Sequence, residues 1–146
     1  MSKVYDPRMH SAEHILNQTM VRFFGRGRSF SSHLERRKSK CDYRFDRDLT
    51  AEETSRIEAR VNEVILSDAA VSEEISTREE ASKRFDLSRI PDQSGTTVRI
   101  IRIGDYDACP CIGEHVGHTK EIGMFRIIST SFENGVLRLR FRLSDA

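Results

Sequence analysis

The sequence predicts an α+β fold in which helices pack on a largely antiparallel β-sheet. Three observations lead there. Residues 49–68, "LTAEETSRIEARVNEVILSD", carry apolar side chains at helical spacing, with Thr50 and Glu53 placed to form a capping box. The stretch "VLRLRFRL" alternates Leu137, Leu139, Phe141 and Leu143 with Arg138, Arg140 and Arg142, the period of a strand with one buried face. Between it and "MFRIISTSF" lies "ENG", a tight-turn signal that makes the two runs an antiparallel hairpin.

The other elements follow in order along the chain. From Pro7 to about Phe24, Met9, Ile15, Leu16, Met20, Phe23 and Phe24 recur at roughly helical spacing. Pro7 suits a helix start, and Gly25 and Gly27 end the helix. "RSFSSHL" and "SKCDYRFD" read as short strands, with Cys41, Tyr43 and Phe45 on one face of the second. After the capped helix come a strand "AVSEEIS", a short helix "REEASKRF", a polar loop around "IPDQSG" and a strand "TVRIIRIG". The Cys/His segment that follows reads as a Gly-containing loop. No repeat or linker interrupts residues 1–146, so the expectation is a single domain.

Composition narrows the class. At 37% hydrophobic and 32% charged residues, the chain suits a compact and highly soluble protein rather than a disordered one. No apolar run approaches the roughly 20 residues needed to span a bilayer, and "MSKVYDPRMH" lacks the apolar region of a signal peptide. A cytoplasmic location without membrane partners is expected. Three cysteines, Cys41, Cys109 and Cys111, then point to thiols or metal ligands rather than disulfides. The net charge is only +1, but the segment from Arg22 to Lys40 holds seven basic residues against Glu35 alone. Such a patch points to phosphate binding.

The chemistry-bearing pattern is a pair of four-residue offsets. His10 and His14 lie on one face of the first helix and can direct two imidazoles at one point. Cys111 and His115 repeat that offset in the later loop. Three nitrogens and one sulfur form a tetrahedral set suited to Zn²⁺. Cys109 either competes with Cys111 for a metal or packs nearby; Cys111 is preferred because it alone stands four residues from His115. Cys41 reads as a small buried hydrophobe, and His33 and His118 have no partner pattern.

Taken together, "HSAEH", "SSHLERRKSKCDYRFDRDLTAEETSRIEARVNEVI" and "VRIIRIGDYDACPCIGEHVGHTKEIGMFRIIS" resemble, in order and over nearly the whole chain, alanyl-tRNA synthetase editing domains. Freestanding trans-editing alanyl-tRNA deacylases are similar too, and threonyl-tRNA synthetase editing domains more remotely. The resemblance implies a single editing-type domain and a zinc-dependent hydrolase. It would remove serine, or glycine, wrongly esterified to alanine-specific tRNA. By the same resemblance His10, His14, Cys111 and His115 would hold the Zn²⁺, and Ser11, at a small-hydroxyl position, would help read the serine side chain. The acceptor end of tRNA would be the partner, with Arg26, Arg28, Arg36, Arg37 and Lys38 as phosphate contacts. No trace of an ATP-binding synthetase core or an extra N-terminal β-domain is present, so the smallest freestanding type is expected.

Two departures stand out. The family loop usually reads C-G-G-T-H, whereas here it is Cys111-Ile112-Gly113-Glu114-His115. Glu114 would act as a general base or pair with an α-ammonium group, or else be a solvent-facing side chain. Glu13 stands where synthetase-linked domains often carry Thr. The literal His10-x-x-Glu13-His14 also matches the HxxEH of inverted zincins and of S-ribosylhomocysteine lyase-like metalloenzymes. That reading leaves the Cys111/His115 pair and "TKEIG" without a role. A tRNA- or partner-binding relative that hydrolyses nothing is the remaining alternative.

Overall fold

A computed structural model describes residues 6–35, 37–87 and 96–144. Helix α1 spans Pro7–Phe24, α2 Ala51–Leu66 and α3 Arg78–Ser82. The strands are β1 (Ser31–His33), β2 (Ser39–Arg44), β3 (Val71–Thr77), β4 (Thr97–Ile103), β5 (Asp107–Pro110), β6 (Phe125–Glu133) and β7 (Val136–Leu143). They form two antiparallel sheets, ordered β1-β2-β7-β6 and β3-β4-β5, in place of the one sheet expected. The α+β class stands. The loop around "IPDQSG" lies outside the described residues.

Each helix carries its own start and stop. Asp6 caps α1 by accepting a hydrogen bond from Arg8 N at 2.9 Å, and Pro7 occupies the first turn, where no amide donor is needed. Gly25 ends the helix at φ 67°, a left-handed conformation that costs glycine nothing. In α2 the capping box is complete: Thr50 Oγ1 accepts from Glu53 N and Glu53 Oε1 accepts from Thr50 N. Ile57, Val61, Val64 and Ile65 form its buried stripe.

The main core lies between α1, α2 and the four-stranded sheet. Met9, Ile15, Leu16 and Met20 of α1 pack with Cys41 and Tyr43 of β2 and with Leu137, Leu139 and Phe141 of β7. The predicted alternation of β7 is observed, its leucines and phenylalanine inward and its arginines on the other face. Asn134 and Gly135, both at positive φ, make the hairpin turn. Along the β6 edge, Asn62 and Glu58 of α2 bond the backbone at Phe125 and Ile127, which satisfies donors an edge strand would leave open.

Unusually for an amphipathic helix, α1 buries polar residues as well. His10, Ser11, Glu13, His14 and Asn17 are all buried. Asn17 is satisfied within the core, its Oδ1 accepting from Ser29 N and from the Tyr43 hydroxyl. The other four point towards the end of β5 and the loop after it.

Candidate metal centre

Helix α1 and the segment 107–116 build the site together. The part read as loop begins with a strand: β5 pairs with β4, and Cys111 N donates to Arg99 O at 3.1 Å just beyond its last rung. Arg99 of β4 then holds the turn from below, donating to Gly113 O at 2.6 Å. The strand fixes Cys111, and the clamped turn swings His115 back over α1.

The four residues picked out by spacing converge. Their ligating atoms lie within 4.8 Å of one another. Cys111 Sγ is 3.2 Å from His10 Nε2 and 3.5 Å from His115 Nε2. The His10 and His115 rings stack at 4.4 Å, and His14 meets His115 edge-on at 4.5 Å. Zinc bonds of about 2.0–2.1 Å to nitrogen and 2.3 Å to sulfur place tetrahedral ligand atoms roughly 3.5 Å apart, so the observed separations suit such an ion.

Electrostatics agree with that fit. Burial pushes the Cys111 thiol up, but hydrogen bonds from His10, His115 and His14 outweigh it and lower its pKa to about 3. A thiolate among imidazoles is the donor state a metal requires. Burial would lower the pKa of His14, yet the Asp107 carboxylate and Cys111 sulfur raise it to about 9, so His14 must release a proton on binding a metal. Burial keeps His115 below the usual imidazole value.

Around this cluster stands a shell of supports. Ser11, 0% exposed, has its Oγ 2.9 Å from His115 Nδ1 and accepts from Val116 N at 3.2 Å. With Nε2 bound to a metal, Nδ1 would carry the proton and donate to Ser11 Oγ. Asp107 stands 3.5 Å from His14 Nδ1 and is held by Arg28 at 2.7 Å and Gln18 at 2.8 Å. Burial alone would raise the Asp107 pKa, but His14 and Arg28 hold it well below the ordinary carboxylate range. Gly113 is needed for space: a Cβ there would run into the His10 ring. Asp107 and Gln18 were not read as site residues in the sequence, although Asp107, Cys109 and Cys111 alternate on one strand face.

The remaining expected residues fall elsewhere. Glu114 is exposed on the loop between the candidate ligands Cys111 and His115, and Ile112 in the same loop is 68% exposed. Glu13 is buried, its carboxylate 3.8 Å from His10 Nε2. Cys109 lies outside the four-residue cluster, its thiol pushed up to about 11 by burial. Arg26 pairs with Asp46 on the surface, and Arg28 with buried Asp107. Arg37 and Lys38 are exposed; Arg36 lies outside the described residues. Among the described residues, no helix is long and apolar enough to cross a membrane.

Residues 98–139 match the family described as the threonyl and alanyl tRNA synthetase second additional domain. The chain is 34% identical over 125 residues to an alanine–tRNA ligase of Coxiella burnetii and 35% identical over 125 residues to that of Fervidobacterium nodosum. It is 34% identical over 129 residues to the alanine–tRNA ligase of Neisseria meningitidis. These matches take in 84–85% of this chain and 14% of each ligase. The chain thus spans about one-seventh of the length of those relatives. In sequence and in architecture, this is an alanyl-tRNA synthetase editing-domain-like protein.

Proposed function

We propose that this domain hydrolyses mischarged alanine-type tRNA in trans, with Ser-tRNA(Ala) as the principal substrate, Gly-tRNA(Ala) as a second, and Zn²⁺ as cofactor. The supporting observation is the convergence of His10, His14, Cys111 and His115 on a single point in an editing-domain-like fold. A synthetase pocket built for alanine rejects an added hydroxyl by only roughly a hundredfold and cannot exclude glycine by size, so a second, hydrolytic selection is needed. A polar site sorts the other way. It bonds the serine hydroxyl and leaves buried groups unpaired when alanine enters, at a cost on the order of 1–3 kcal/mol per group.

The reaction is ester hydrolysis at the terminal ribose: water adds to the aminoacyl carbonyl, the ester C–O bond breaks, and the ribose oxygen takes a proton. Bound Zn²⁺ supplies a fixed positive charge, either to orient the α-amino group or to activate water. His10 and His14 hold it from α1, and Cys111 and His115 from the β5 side. Four protein ligands favour the orienting role. Ser11 holds the tautomer of His115, which in turn narrows its freedom to read the substrate hydroxyl. Glu114, with no ion pair among the described residues, accepts the proton of the attacking water. A cytoplasmic location belongs to the same proposal.

A deacylation assay with Ser-, Gly- and Ala-tRNA(Ala) tests the reading. Release of serine and sparing of alanine are expected, with loss of activity on zinc chelation. No hydrolysis of any of the three with zinc confirmed bound would leave a non-catalytic tRNA-binding relative, a role the exposed Ile112 and Glu114 would also suit.

A further inference from the structure

The outer face of the four-stranded sheet carries an unusual arrangement of charge. Leu137, Leu139 and Phe141 point inward, so Arg138, Arg140 and Arg142 share the opposite face of β7. Arg142 stands directly across from Arg126 of β6, and Arg140 directly across from Lys40 of β2. Like charges opposed across a ladder are destabilising. By contrast Arg138 faces Asp42 and is bound by it at 2.8 and 2.9 Å. Among the described residues, no acidic side chain forms an ion pair with Lys40, Arg126, Arg140 or Arg142.

At one end this face opens into a groove of about 710 Å³ lined by Arg37, Arg126 and Arg142, with Met124 and Ser144 on its wall. Glu58, the acidic residue of that lining, already accepts a hydrogen bond from Ile127 N. Ser144 ties the groove to the first turn of α1. Its carbonyl accepts from Arg8 at 2.6 Å, and Arg8 lies two residues before His10 on α1. Arg8 also donates to Ile122 O at 2.8 and 3.0 Å. At the far edge of the face, the Arg44 guanidinium lies 3.8 Å from the centroid of half-exposed Phe30.

We propose that this face, from Lys40 and Arg140 to the Arg37–Arg126–Arg142 groove, binds the phosphodiester backbone of the RNA whose aminoacyl end enters the metal centre. The inference rests on the tRNA reading above and assigns the contact to a different surface from the segment around Arg26 and Arg28, whose charges are already paired. Alternate residues on a strand stand about 6.8 Å apart, comparable to the spacing of successive phosphates along an RNA strand. Binding would place phosphates between the opposed cations, relieve their repulsion and release counterions. Arg44 and Phe30 add a flat cationic and aromatic edge on which an unpaired base can stack.

Fluorescence anisotropy with a labelled RNA hairpin bearing a single-stranded 3′ end, titrated over a range of salt, tests this. The variants are Arg126→Ser/Arg142→Ser and Lys40→Ser/Arg140→Ser; the control is Arg102→Ser, whose guanidinium pairs with Glu74 on the other sheet. Each double variant is expected to bind about tenfold more weakly near 0.1 M salt and to lower the slope of log K against log salt by roughly 1.5–2. The control should stay close to wild type. Melting temperatures of the double variants should hold or rise, because a like-charge pair has been removed. On aminoacylated RNA the double variants should raise KM and spare kcat. Wild-type affinity and slope in both double variants would overturn the proposal, as would tighter binding of the wild type to anionic lipid vesicles than to RNA. Loss of ester hydrolysis with this RNA binding intact would instead count against the deacylase reading alone.

Discussion

Asp107 Oδ2 lies 3.5 Å from His14 Nδ1, with the Asp107 side chain fully buried and held by Arg28 and Gln18. His14 Nδ1 is buried and has no aligned hydrogen bond among the described residues, and the Asp107 carboxylate is its ion-pair neighbour. A carboxylate so placed would favour the His14 tautomer that leaves Nε2 free to ligate a metal. Asp107→Asn should lower zinc affinity by about 10–100-fold, read by competition with a chromophoric chelator. Affinity equal to wild type would show that His14 needs no such partner. Asp107→Ala should also destabilise the fold, because Arg28 is left as an unpaired, mostly buried charge.

His14→Ala removes one of the four proposed ligands and should leave less than stoichiometric zinc after dialysis, measured by elemental analysis. Retention of one zinc per chain would contradict the ligand set.

Gly113 gives a sharper test, because it has no side chain that could ligate a metal. Gly113→Ala sets a methyl group against the His10 ring. Zinc affinity should fall by about tenfold or more, while far-ultraviolet circular dichroism stays that of the wild type.

A metal held by these four residues would join two parts of the chain that are a hundred residues apart, α1 and the segment after β5. Because the ion binds only the folded site, it should add about 2.7 kcal/mol of stability at a free concentration 100 times Kd. Chelation should therefore lower Tm in differential scanning calorimetry, and the shift should vanish in His14→Ala.

The α2 cap predicts an acid limb to stability. The hydrogen bond from Arg47 and that from Thr50 N lower the Glu53 pKa from 4.5 to about 2. A folded-state pKa below the unfolded value means that this contribution is complete above about pH 4.5. It is lost as the pH falls towards about 2. Glu53→Gln should flatten that part of a stability–pH curve, and Thr50→Ala should cost about 1 kcal/mol throughout.

Much of this protein is legible from local rules. Pro7, Gly25, the Thr50/Glu53 box and the alternation in β7 mark element ends and faces, because caps, turns and strand periodicity depend on neighbours in the chain. The two four-residue offsets likewise identify His10 with His14 and Cys111 with His115. Segment 107–110 was harder: "DACP" holds a proline and two small residues, and its pairing with β4 sets it as a strand. Nor does any local signal divide the strands between two sheets, since sheet membership is decided by distant partners.

Helix α3 stops at Ser82, short of the Phe85 read from the sequence. The sequence alone therefore determined the α+β class, the ends of α1 and α2, the β6–β7 hairpin, and the identity of the four residues that converge. Tertiary structure decided what surrounds them. It placed Asp107 behind His14, Ser11 behind His115 and the Gly113 backbone against His10, and it neutralised Arg28 while setting Arg126 against Arg142 and Lys40 against Arg140. The physical reason is range. Periodicity and capping are fixed within one or two turns of chain, whereas hydrogen bonding, burial and charge pairing across about a hundred residues exist only once the chain has closed on itself.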